Sequence, residues 1–233
     1  MLPPRATTAL LLPVFNELEG LQFVVPKINF GMFDDVLVVD GGSTDGSWQY
    51  ARSCGLRVMT QLRKGLTLGV LDAIRTLATD YVIEFSPDGN CLPEHLPALV
   101  HLLHEGHDLV VVSRYLPPAR SHDDTWVTAF GNRMFTALLR HLGPLRVTDA
   151  LNIYRGFRRS LLDLPDFDRL CIGPVLEPLT TGLANLLRLK YTEIPGDEPR
   201  RIGGESKMKV IYNGSCILLM VARLYLRKLG RRP

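Results

Sequence analysis

The 233-residue sequence predicts one α/β domain, a mostly parallel sheet with helices on both faces, and three observations carry this. Short apolar runs alternate with helix-compatible segments through the first half of the chain. Two of those runs lead straight into an aspartate-glycine turn, Val36–Asp40 before Gly41 and Tyr81–Phe85 before Asp88-Gly89. The composition, 46% hydrophobic and 22% charged, is enough for one sizeable core.

Each element follows in order. Leu10–Phe15 reads as a buried first strand, and Glu17–Ile28 as a helix with Asn16 as its N-cap. Val36–Asp40 is the second strand, broken by Gly41-Gly42, after which Ser43 or Thr44 starts a helix through Ala51. Arg57–Thr60 is a third strand and Leu66–Leu77 a helix. Tyr81–Phe85 is a fourth strand ended by Ser-Pro-Asp-Gly-Asn, and Pro93 opens a helix to Glu105. Asp108–Val112 is a fifth strand. Beyond it the pattern loosens: helix at Thr125–Leu142, strand-like Leu151–Phe157, helix at Val175–Leu187, short strand at Leu189–Ile194, and a final helix at Met208–Leu229. The loop from Ser113 to Trp126 has the length and polarity of a functional lid. Open sheets of this kind bind ligands at the carboxyl ends of their strands, where Asp40 and Asp88 fall.

The four cysteines show no metal-ligand spacing and suit reduced thiols in a cytosolic protein. Met1–Thr8 does not read as a signal peptide, and no stretch approaches the ~18 apolar residues of a membrane-spanning helix. The net charge of +3 is uneven: residues 206–233 hold seven basic side chains and no acid, against 20 basic and 24 acidic residues elsewhere. A basic, apolar-rich C-terminal segment points to a membrane surface or an anionic partner; no nucleic-acid partner is expected. The expected organisation is a domain over 1–207, with halves at 8–113 and 114–207, then an amphipathic helix over 208–233.

Seven segments, in order, carry a resemblance. Leu-Pro-Val-Phe-Asn-Glu (12–17), Val-Val-Asp-Gly-Gly-Ser-Thr-Asp (38–45) and Phe-Ser-Pro-Asp-Gly-Asn (85–90) are similar to the motifs of family-2 glycosyltransferases. Ser113-Arg114-Tyr115, Gly131-Asn132-Arg133, Asp149 with Gly156-Phe157-Arg158, and Arg201 to Lys207 resemble its dolichol-phosphate or polyprenyl-phosphate sugar transferases. The resemblance covers roughly residues 8 to 212 and implies the GT-A fold, a Rossmann-like mixed sheet. It also implies a nucleotide-sugar donor such as GDP-mannose or a UDP-hexose. Pro13, Phe15, Glu17 and Asp40 would then line the base and ribose pocket, with Lys64 near the donor phosphates. Asp88 and Asn90 would hold Mg²⁺ or Mn²⁺. Arg114, Arg133, Arg201, Ser206 and Lys207 would bind acceptor and donor phosphates, arginine's fork suiting two phosphate oxygens at once. Asp149 would orient an arginine or line the site, and Glu177 is a candidate for the same role.

Two positions depart from the pattern: Ser86 replaces the first aspartate of the metal motif, and Gly41 the second aspartate of V-D-D-G. A phosphate acceptor is already a charged nucleophile, so positioning and charge stabilisation suffice without a strong base. The reading is an inverting transferase moving a hexose to a polyprenyl phosphate, peripheral at the cytoplasmic face of a membrane. The alternatives are a soluble family-2 enzyme with a sugar hydroxyl acceptor, in which Asp149 or Glu177 acts as base, and a non-catalytic nucleotide-sugar binder. His101, His104 and His107 lie at helical spacing in an apolar helix and do not read as a metal cluster.

Overall fold

A computed structural model of the chain describes residues 5–202 and 209–230. Its strands are β1 (Thr8–Val14), β2 (Asp35–Asp40), β3 (Arg57–Thr60), β4 (Tyr81–Glu84), β5 (Leu109–Ser113), β6 (Arg155–Arg158) and β7 (Tyr191–Pro195). The helices are α1 (Leu18–Val24), α2 (Ser47–Ser53), α3 (Leu66–Thr76), α4 (Leu96–His104), α5 (Trp126–Arg140), α6 (Phe167–Leu170), α7 (Leu176–Leu187) and α8 (Val210–Gly230). The strands form one sheet in the order β3-β2-β1-β4-β6-β5-β7. All neighbours are parallel except β6, which runs antiparallel to β4 and β5.

Strand alternation divides the core into two layers. Leu11, Leu37, Val111 and Phe157 point to the face covered by α3, α5, α7 and α8. Leu10, Val38, Ile83 and Val110 point to the face covered by α1, α2 and α4. The antiparallel β6 is tied in by Arg155, a fully buried guanidinium that donates to the carbonyls of Ala150, Asn152 and Glu177 and to the hydroxyls of Thr180 and Thr181. Gly156 lets α4 approach: a Cβ there would lie 2.6 Å from Leu103 Cδ1.

Most predicted boundaries hold to within a few residues. The first helix is shorter than expected, because Pro26 lies in a separate 3₁₀ turn, Val25–Lys27. The helix expected to begin at Pro93 opens as a 3₁₀ turn, Pro93–His95, before α4. Thr125 caps α5 through a reciprocal box with Thr128. The final helix has a length and composition that would allow it to cross a membrane, which the reading of the sequence did not anticipate. One face of it nevertheless belongs to the core, with Ile217, Met220, Val221 and Leu224 buried. The four cysteines are free thiols.

Candidate active site

The carboxyl ends of β1, β2 and β4 meet where the sheet order reverses: β2 and β3 lie on one side of β1, and β4 on the other. The loops leaving β1 and β2 are bonded to each other. Asn16 takes a left-handed backbone at φ 55°, donates its N–H to Ser43 Oγ at 2.9 Å, and accepts at Oδ1 from the Thr44 N–H at 2.8 Å. It therefore does not cap α1 as expected; Glu17 holds the N-cap position. Short polar side chains tolerate the left-handed region because they bond locally. Asp45 accepts the N–H groups of Leu18 at 3.0 Å and Ser47 at 2.9 Å.

Asp40 ends β2 and is 2% exposed. Its carboxylate accepts the Gly42 N–H at 3.0 Å and the Ser43 N–H at 3.2 Å. These bonds hold the segment as a loop, so α2 starts at Ser47 and not at Ser43 or Thr44. Much of Asp40's accepting capacity is thus spent on shaping the loop. Pro13 is buried within β1, opposite Val39. A Cβ at position 41 would approach Phe15 Cδ2 to 3.1 Å, so Gly41 accommodates the Phe15 ring where the resemblance expected an aspartate. Gln61, at the end of β3, donates from Nε2 to Gly41 O at 3.0 Å. Lys64 lies exposed in the turn before α3.

The turn after β4 carries Asp88, 4% exposed, whose Oδ1 accepts the Asn90 N–H at 3.1 Å. It rests directly on α1: a Cβ on Gly20 would lie 2.3 Å from Pro87 O and 2.9 Å from Asp88 Cα. Helix propensity favours alanine over glycine, so Gly20→Ala isolates the steric contact. We expect it to destabilise the fold by about 1–3 kcal/mol, as overpacking does, and to weaken nucleotide binding by displacing Asp88. Denaturant unfolding and calorimetry check this; a more stable variant with unchanged binding would contradict it.

Asp88 and Asn90 suit a hard cation, which takes oxygen ligands. Asn90 Nδ2 donates to Asp123 Oδ2 at 3.1 Å, while the buried Asn90 Oδ1 has no hydrogen-bond partner among the described residues. An unsatisfied amide oxygen on the same turn as a carboxylate is a chemically consistent pair of ligands. Among the described residues no group of three His, Cys, Asp or Glu is placed to hold a metal, so diphosphate and water would complete the shell. Arg201 stands over this turn, with Nη2 3.0 Å from Asp88 Oδ2 and Nη1 3.4 Å from Glu17 Oε1. Ser206 and Lys207 lie outside the described residues.

A second cluster lies at the end of β5. Arg114, 8% exposed, grips the fully buried Asp149 with Nε at 2.7 Å and Nη2 at 3.0 Å, and its Nη1 reaches Glu198 at 3.3 Å. Burial alone would raise the Asp149 carboxyl, but the charge and bonds of Arg114 hold it below the usual carboxylate range. Burial pushes the Glu198 carboxyl up, Arg114 offsetting part of the effect. Asp149 is thus paired with an arginine in the fold. The Tyr115 hydroxyl donates to Asp124 and accepts from Asn132 Nδ2 at 2.9 Å. The guanidinium of Arg133 lies 5.7 Å from the Tyr115 ring centroid. Arg114, Tyr115, Arg120, Ser121, Trp126 and Arg133 line a cavity of about 510 Å³.

Arg114 and Arg133 are therefore brought together, while Arg201 sits with Asp88 and Glu17. Glu177 lies in the first turn of α7, where burial raises it and Glu84 while Arg155 opposes the shift. Glu198 and Asp123 were not singled out from sequence; each is recognisable only by the residue it bonds. His104 faces Thr8 at 3.0 Å, His107 the Leu102 carbonyl at 2.9 Å and His101 Glu105 at 3.2 Å, three separate directions.

The sheet order and its switch-point crevice place the chain among the GT-A nucleotide-sugar transferases. Residues 10–164 match the model described as Glycosyl transferase family 2. The chain belongs to that family and is a glycosyltransferase. It is 30% identical over 228 residues to the glycosyltransferase AglJ of Haloferax volcanii, covering 95% of this chain and 73% of that one. It is 29% identical over 174 residues to the polyprenol monophosphomannose synthase of Mycolicibacterium smegmatis, covering 70% of this chain and 66% of the relative. A crystal structure of glucosyl-3-phosphoglycerate synthase from Mycobacterium tuberculosis with Mn²⁺, UDP and phosphoglyceric acid superposes with a TM-score of 0.66. That match is 22% identical and covers 98% of this chain and 80% of the other.

Proposed function

We propose that the protein transfers a hexose, with inversion, from a GDP- or UDP-sugar to a polyprenyl phosphate at a membrane surface. The observation that carries the acceptor half is the arginine-lined cavity beside an exposed apolar face. On α5, Trp126 is 83% and Phe130 66% exposed; on α8, Ile211 is 87% and Leu218 56% exposed. The two helices are in contact, Tyr225 donating from its hydroxyl to Leu138 O at 2.8 Å. Neither Trp126–Arg140 nor residues 209–230 contain an acid, so the charges they offer an anionic headgroup plane are all basic. Because the buried face of α8 is held by α5 and α7, the helix would lie on the bilayer and not cross it.

On the donor side, Phe15, Glu17 and Asp40 would form the nucleotide end, and Asp88 and Asn90 would hold Mg²⁺ or Mn²⁺. The cation would neutralise charge on the departing nucleotide. Arg114 and Arg133 would orient the phosphate acceptor, whose oxygen is already anionic, so no side chain needs to remove a proton. The similarity to a polyprenol monophosphomannose synthase supports a polyprenyl acceptor, and Mn²⁺ with UDP in the glucosyl-3-phosphoglycerate synthase structure supports the donor side. A soluble phosphorylated acceptor is the second reading, favoured by phosphoglyceric acid in that same structure.

Truncation would strip Met220 and Leu224 from the core, so surface substitutions test the membrane half. The Trp126→Ser/Phe130→Ser variant should lose at least about tenfold in binding to anionic vesicles, since a buried large apolar side chain contributes ~1.5–3 kcal/mol. Nucleotide binding should be unchanged. Transfer from GDP- and UDP-sugars is then measured onto vesicle-borne polyprenyl phosphate and onto soluble phosphates. Transfer to the soluble acceptors alone, with vesicle binding indifferent to the substitutions, would establish the second reading.

A further inference from the structure

The contact between Arg201 and Asp88 is built into the chain around it. The Ile202 N–H donates to Asp88 O at 2.7 Å, and the Ile202 side chain packs so closely over Gly89 that a Cβ there would meet Ile202 Cγ1 at 2.7 Å. Asp88 Oδ1 is bonded to the Asn90 N–H, so the guanidinium takes the other carboxylate oxygen, Oδ2. The pair is largely enclosed, with side-chain exposures of 23% and 6%. A divalent cation on Asp88 would face a fixed positive charge within a few ångströms, a repulsion strengthened by the low local dielectric. Bound metal and bound Arg201 are therefore alternatives on this carboxylate.

We propose that Arg201 is a resident counter-cation of the Asp88 turn, displaced when the cation and the donor diphosphate bind. Displacement breaks the contacts to Asp88 and Glu17 and frees a guanidinium beside the newly arrived phosphates. Its fork bonds phosphate as well as carboxylate, so it exchanges one partner for the other. Arg201 is thus a positioning residue that couples donor loading to the 198–202 segment. The order of binding follows: donor first, acceptor anion second. This rests on the reading of Asp88 and Asn90 as the cation's ligands.

The test measures Mn²⁺ binding to the full chain without any sugar acceptor, by titration calorimetry and by the electron paramagnetic resonance of free Mn²⁺. Arg201→Gln should bind Mn²⁺ roughly tenfold more tightly than the unsubstituted protein, the scale of one charge-assisted hydrogen bond. Arg201→Lys, which keeps the charge, should stay within about threefold of it. Ile202→Ala, which loosens the segment while keeping the arginine, should also tighten Mn²⁺ binding; it serves if Arg201→Gln fails to fold. In the unsubstituted protein, saturating Mn²⁺ with UDP or GDP should accelerate hydrogen exchange at the Ile202 amide. Equal or weaker Mn²⁺ binding by the folded glutamine variant overturns the proposal, as does an Ile202 amide whose exchange is unchanged by metal and nucleotide. Absence of Mn²⁺ binding in every variant overturns it too. None of these readouts uses transfer, so a protein that glycosylates no acceptor would sink the proposed function and leave this result readable.

Discussion

Arg114→Met should lower the unfolding free energy by about 3–5 kcal/mol, the range for removing one partner of a buried ion pair. Asp149 has no exposure to solvent, and Arg114 supplies two bonds to its carboxylate from the side chain and a third from the backbone N–H at 3.2 Å. Methionine is of similar volume and keeps the backbone bonds, but it leaves the buried carboxylate without its cationic partner. The same residue lines the arginine cavity, so transfer should fall to background even at temperatures where the variant remains folded. The pH dependence has a defined sign. The folded-state pKa of Asp149 is depressed, so the pair's stabilisation is present above the unfolded carboxylate value near ~3.9 and is lost as pH falls through the lower folded value. Acid unfolding of the variant should accordingly be shallower in this range than that of the unsubstituted protein. A variant of undiminished stability would show that Asp149 finds another partner.

Transfer should also collapse when divalent cations are removed, and return with Mn²⁺ or Mg²⁺. Asp88→Ala should cost at least about a hundredfold, because several kcal/mol of charge stabilisation at the leaving diphosphate is lost, and added metal should not restore it. Ser86→Asp restores the anion expected from the family motif, and we expect Mn²⁺ to bind that variant more tightly. Undiminished transfer in excess chelator would remove the metal from the mechanism. The protein would then have to supply the compensating charge from side chains, with Arg201 the nearest to Asp88 among the described residues. Steady-state rates with and without chelator, beside Mn²⁺ titrations of both variants, separate loss of the metal from loss of the donor.

Much of this was legible along the chain because β-strands buried on both faces leave a plain sequence signal. The apolar runs at β1, β2, β4 and β5, with an aspartate ending β2 and another following β4, mark the sheet and the carboxyl ends of its strands. The family motifs are local, so Asp40, Asp88, Arg114 and Asp149 could each be named from a few neighbouring residues. What local patterns lack is the pairing between distant segments. Nothing in a linear reading says that Arg114 closes on both Asp149 and Glu198, or that β6 enters antiparallel between β4 and β5. Asn16 looked like a helix cap because the N-cap preference is local; in the fold its amide bonds the neighbouring loop.

By itself the sequence determined the α/β class, the family, the aspartates at the strand ends and a C-terminal segment that is both apolar and basic. Only the tertiary structure decided how those parts combine. It sorted the arginines, setting Arg114 and Arg133 around one cavity and Arg201 on Asp88. It placed the exposed aromatic residues of α5 on a helix packed against α8, and it committed the inner face of α8 to the core. The physical reason is the same in each case. Charge pairing and burial depend on distance in space, and the sheet brings together residues separated by up to 184 positions in the chain.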